Sequence, residues 1–159
     1  MFKQYLTIKN ALTVFIMFVF IQSLFFKFSD SFETIFIFTK LGDWSGLEWF
    51  GLYGAYLVGT AELIASVALI TRFHAIGATM ALGIITGAIF FHLATPLGVV
   101  QPVFDATGHI IGDDAGTLFV MACLVWLSSL TLVVKDLRAP SSTLLMLLNQ
   151  FGLMKKDKK

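Results

Sequence analysis

Residues 49–93 read WFGLYGAYLVGTAELIASVALITRFHAIGATMALGIITGAIFFHL. Two apolar runs, Trp49–Ile70 and Ala75–Leu93, are divided only by Thr71, Arg72, Phe73 and His74. At 1.5 Å of rise per residue, a helix needs about 20 mostly apolar residues to cross about 30 Å of hydrocarbon. Each run meets that length. Both are too long and too uniformly apolar for barrel strands, and a helix satisfies its own backbone in lipid. The stretch therefore predicts two membrane-spanning helices joined by a tight turn.

Working outward, Ile8–Phe26 and Ala115–Val134 are two further runs of span length. The expected fold is an all-α integral membrane four-helix bundle. Its spans lie at about 8–26, 49–70, 75–93 and 115–134. Composition agrees: 57% of the 159 residues are hydrophobic and only 13% are charged, against about 25% charged in soluble domains. The first run, behind Lys3 and Lys9, has the look of a signal peptide. No small-x-small site follows it, so it is expected to stay as a span.

Lys and Arg set the orientation. Lys3, Lys9, Arg72, Lys135, Arg138, Lys155, Lys156, Lys158 and Lys159 fall on one side. The other side has Lys27 and Lys40, with Asp30, Glu33, Asp43, Glu48, Asp105, Asp113 and Asp114. Both termini are thus expected in the cytoplasm. Residues 140–159 form a second unit, a short interfacial helix over 141–154 capped by Ser141 or Ser142 after Pro140, then a basic tail among anionic headgroups. The outer loop, Ala94–Asp114, is read as irregular. The near-zero net charge of +1 gives no reason to expect nucleic acid as a partner. The single Cys123 excludes chemistry that needs two thiols.

Small residues should pack the bundle. Gly51, Ala55 and Gly59 recur at intervals of four, as do Gly77 and Ala81, with Gly83 and Gly87 on a neighbouring stripe. Glu62 continues the first stripe, so it faces inward. A carboxylate there costs at least ~2.5 kcal/mol. It is either a proton-carrying or ligand-binding carboxyl or a clamp between helices. His92 shares a face with Gly77, Ala81 and Ala88, and is either a ligand or proton-transfer group or a satisfied structural histidine. Lys27 ends the first span, where it snorkels to the interface or serves a ligand or a carboxylate of the bundle. Asp114 is placed to cap the fourth span. Lys27, His92 and Asp114 are expected at one depth near the outer face, with Glu62 lower, together lining a shallow cavity. No spacing suits a metal, and no motif for covalently or tightly bound flavin, haem, iron–sulfur or nicotinamide is present.

Phe26-Lys27-Phe28, Gly59-Thr60-Ala61-Glu62-Leu63 and Phe91-His92-Leu93 occur in these spans in this order. Over roughly residues 10–135 the chain resembles the DoxX family of small bacterial membrane proteins. The resemblance implies a four-helix bundle in the bacterial inner membrane. The family takes its name from a protein similar to a subunit of an archaeal thiosulfate:quinone oxidoreductase, and most members have no assigned reaction. The family's lysine, glutamate and histidine match Lys27, Glu62 and His92. The expected function is a membrane subunit or partner of a quinone-linked redox system, with Glu62 and His92 as proton-exchanging groups and quinone as the one expected cofactor. The alternative is a non-enzymatic assembly factor or a small proton or solute carrier. Expected partners are the lipid bilayer and either a membrane oxidoreductase or a second copy of the chain.

Overall fold

The computed structural model describes residues 7–139 and 141–150. Lys3, Pro140, the last four residues of the helix expected over 141–154 and the basic tail at 155–159 lie outside the described residues. Among the described residues are six helices and one hairpin: α1 (Ile8–Phe28), α2 (Phe32–Ser45), α3 (Glu48–Leu69), α4 (His74–Ala94), β1 (Pro102–Phe104), β2 (Ile110–Asp113), α5 (Thr117–Leu137) and α6 (Thr143–Gln150). α1, α3, α4 and α5 are each long and apolar enough to cross a membrane. They match the four expected spans within three residues at each end.

The four long helices form a ring in which α1 touches α3, α3 touches α4, α4 touches α5 and α5 touches α1. Chain direction alternates around the ring. The basal end carries Thr7, the α3–α4 turn and the end of α5. There Thr13 Oγ1 lies 2.9 Å from His74 Nε2. The distal end carries α2 and the hairpin. Ile16 and Phe20 of α1, Ala65 and Leu69 of α3, Ala78, Ala81 and Ile85 of α4, and Ala122, Val125 and Leu132 of α5 fill the interior. Trp126 Nε1 donates to Thr86 Oγ1 at 3.0 Å and joins α4 to α5.

The small residues do not all serve one seam. Gly77 seats α4 on α3: a Cβ there would lie 2.7 Å from Leu69 N and 2.9 Å from Ala65 O. Gly51 instead faces Gly42 of α2, and Gly59 faces Phe28 and Leu24 of α1. Gly83 and Gly87 meet open space.

Two elements go beyond the sequence reading. α2 starts on Ser31, whose Oγ accepts from Thr34 N, and stops on Gly46 in the left-handed conformation. Thr34, Phe38, Leu41 and Gly42 form its buried face, at the spacing of an amphipathic helix. At 14 residues it is too short for a span-length search. The outer loop is also not wholly irregular. β1 and β2 pair antiparallel, with Pro102 opposite Asp113, Val103 opposite Gly112 and Phe104 opposite Ile110. Phe104 packs near Phe32 and Phe36 of α2, and its N–H donates to Glu33 Oε1. α2 therefore supports a hairpin that would be marginal alone.

At the basal end, Ser142 caps α6 as expected. Its Oγ accepts from Leu145 N and donates to Asp136 Oδ2 at 2.9 Å. The same Asp136 oxygen accepts from Leu144 N, so α6 is tied to the last turn of α5.

Candidate functional site

The most polar point of the interior lies between α1 and α3. In a helix the Cα–Cβ bond tilts toward the N-terminus. Lys27 on α1 therefore leans toward the basal end, and Glu62 on antiparallel α3 leans toward the distal end. They meet: Lys27 Nζ is 3.0 Å from Glu62 Oε1 and 2.9 Å from Oε2. Ser23, one turn before Lys27, has its Oγ 2.7 Å from Glu62 Oε2 and 2.7 Å from Phe20 O, so its single proton serves one of the two at a time, while its oxygen accepts from Lys27 Nζ at 3.0 Å. The Lys27 and Glu62 side chains are only 16% and 6% exposed.

Glu62 is seven residues before the end of α3, or about 10 Å of helix rise. The pair is thus well inside the bundle. Each charge has its counter-charge, and the carboxylate accepts from the ammonium and a hydroxyl. Such full pairing is what offsets the cost of removing two ions from water. Lys27 does not snorkel outward as one sequence reading had it; it serves the bundle carboxylate, the other use left open. The lysine's position in the chain marked its helix end, but that a carboxylate stands at the height its side chain reaches was decided only once α3 lay beside it.

The other two candidate residues form a separate distal centre. His92 Nδ1 lies 2.6 Å from Gly98 O, and its ring meets Phe119 edge-on at 5.6 Å. Phe91, next to it, contacts Phe50 of α3 at 6.0 Å. Phe50 precedes Glu62 by twelve residues, so His92 and Glu62 stand about 18 Å apart along the bundle. Among the described residues, that separation leaves Lys27 and Glu62 in one place and His92 and Asp114 in another, not in the single cavity expected of the four. Two grooves of the surface, about 320 Å³ and about 450 Å³, are lined by none of these four.

Asp114 organises the distal loop. Its Oδ1 accepts from Gln101 N at 2.7 Å and from Gly116 N at 2.9 Å, and its Oδ2 accepts from Leu118 N at 3.0 Å. Asp114 N donates back to Gln101 O. It thus holds the first turn of α5, as a cap was expected to, though Gly116 occupies the cap position itself. Burial pushes the Asp114 carboxyl up. The N–H groups of Gln101, Leu118 and Gly116, with nearby His92, outweigh this and hold it below the usual carboxylate range. Gln101, in the outer loop, is 1% exposed. Its Nε2 donates to Gly98 O at 2.9 Å, the same carbonyl that His92 reaches. Gln101 Oε1 and Ser129 Oγ are the buried side-chain atoms without a partner among the described residues. No group of three His, Cys, Asp or Glu side chains suited to a metal occurs among the described residues.

Four helices of spanning length, closed around a buried ion pair, define a multi-pass membrane protein of helical-bundle type. Comparison with protein-family models, with curated proteins and with solved structures found no match.

Proposed function

We propose that the chain is a DoxX-like membrane subunit or partner of a quinone-linked redox system in the bacterial inner membrane, with both termini cytoplasmic. The observation that carries this is the Lys27–Glu62 pair. Two hydroxyls or amides could clamp α1 to α3 without placing charges in hydrocarbon, where they are expensive. A lysine–carboxylate pair offers what a neutral clamp lacks, a charged donor and a charged acceptor side by side. An ammonium, a hydroxyl and a carboxylate also suit the proton demands of a quinone head. A bound quinone would accept two electrons from the membrane partner together with two protons. Ser23, Lys27 and Glu62 would bind its head and pass protons to it. His92 stands too far off to share that step and has a structural task in the distal loop.

The orientation is supported by the basal end, which gathers Lys9, Arg72, Lys135 and Arg138 with the described ends of the chain. The distal end carries Asp30, Glu33, Asp105 and Asp114.

One observation favours a second role. Glu62 is fully bonded within the bundle, as a clamp in a non-enzymatic assembly factor would be. Titration of the purified protein with a short-chain quinone separates the two. Wild type is expected to bind, and Glu62→Gln to bind on the order of tenfold more weakly, the scale of one charge-assisted hydrogen bond. Equal binding in both, or none in either, leaves the clamp.

A further inference from the structure

At the distal end of α1, the chain makes a corner that no role above uses. α1 stops at Phe28 and α2 starts at Phe32. Between them Asp30 adopts a left-handed backbone with φ 51°. Its Oδ1 accepts from Tyr56 of α3 at 2.6 Å, and Phe28 stacks on the Tyr56 ring at 6.1 Å. Tyr56 is the one donor to Asp30 among the described residues, so a carboxylate able to accept several bonds has most of its capacity open.

The corner lies at a particular depth. Thr13, level with His74 at the basal end, precedes Asp30 by seventeen residues, or about 25 Å of rise. Hydrocarbon is about 30 Å thick. Asp30 thus stands near the border between acyl chains and headgroups on the distal side. Two helix ends flank it: the carbonyl end of α1, the negative end of its dipole, and the amide end of α2, which starts at Phe32. The last-turn cation that could offset the first, Lys27, is turned inward to Glu62. Lys40 sits over the Phe36 ring, 5.1 Å from its centroid, more than two helical turns further on.

Directly below, Ile21, Leu24, Phe25, Phe28 and Ser29 line the 320 Å³ groove. It runs along the lipid face of α1 and ends at Ser29, next to Asp30. Phe25 is 72% exposed, as a residue facing lipid would be.

We propose that this corner is a lipid site: an acyl chain lies in the Ile21–Phe28 groove, and an ammonium headgroup donates to Asp30. The occupant is an ethanolamine-headed phospholipid. Its ammonium carries N–H donors, which a choline head lacks.

The test is native mass spectrometry of the full chain in mild detergent, with ethanolamine- and choline-headed lipids of identical acyl chains. Wild type is expected to retain the ethanolamine lipid about tenfold better, the worth of a charge-assisted hydrogen bond. Asp30→Asn, which keeps a residue type tolerant of the left-handed backbone, is expected to reduce retention to the choline level. Ile21→Trp, filling the groove from an exposed position, is expected to lower retention of both lipids. Free ethanolamine at the same concentration is expected to displace neither. Equal retention of the two lipids by wild type overturns the proposal. So does a preference that survives Asp30→Asn, retention untouched by Ile21→Trp, or displacement by free ethanolamine, which would mark an amine site with no chain in the groove.

Discussion

Lys27 and Glu62, thirty-five residues apart in sequence, bond across the α1–α3 seam through both carboxylate oxygens. Removing one partner leaves the other charged and uncompensated in a nearly dry interior. Lys27→Met and Glu62→Gln are each expected to cost about 3–5 kcal/mol of stability. The double variant is expected to recover much of that loss. Thermal unfolding in detergent of the two single variants and the double closes the cycle. Purely additive losses would show that the two charges are not coupled.

Gly77 and Gly83 lie on the same helix and are expected to respond oppositely. Gly77→Ala drives a Cβ against the α3 backbone at Leu69 and Ala65, where no flexible side chain can give way. It should destabilise by about 1–3 kcal/mol. Gly83→Ala meets nothing and gains helix propensity, so it should be neutral or slightly stabilising. Unfolding midpoints of the two variants check the contrast.

The distal loop should loosen in acid. The folded Asp114 carboxyl is held below the usual range, so its ionised form stabilises the loop fully above that range. The contribution is lost as pH falls through the lowered folded value. Protection of the Gln101, Gly116 and Leu118 amides, measured against their intrinsic exchange rate at each pH, should fall at low pH. At neutral pH, Asp114→Asn should speed the same amides on the order of tenfold, the worth of hydrogen bonds to a charged group. Unchanged exchange in that variant would mean that backbone pairing alone holds the loop.

Orientation can be read from outside intact cells. In a Cys123→Ala background, Thr107→Cys in the hairpin turn should react with a membrane-impermeant maleimide, and Arg72→Cys should react only after lysis. The opposite pattern would invert the proposed topology.

Different physical ranges separate what was readable in the chain from what was not. Span length and apolarity are local, so α1, α3, α4 and α5 could be placed from residues alone. Glu62 could be turned inward from its spacing to Gly59 and the stripe behind it. α2 escaped because 14 residues fall below a span, although Ser31, Gly46 and the spacing of Phe38, Leu41 and Gly42 were visible signals. The hairpin had no such signal, because its order depends on Phe32, Phe36 and Glu33 of another element.

The amino-acid sequence by itself determined that the chain enters lipid, how many helices are long enough to cross, and which face of α3 carries the acid. Those follow from hydropathy and helical period. Tertiary structure decided that Lys27 turns inward, that His92 and Glu62 belong to separate centres, and that Asp114 gathers the distal loop. The reason is geometric: two antiparallel helices lean their side chains toward opposite ends, and only their relative height decides which of those side chains meet.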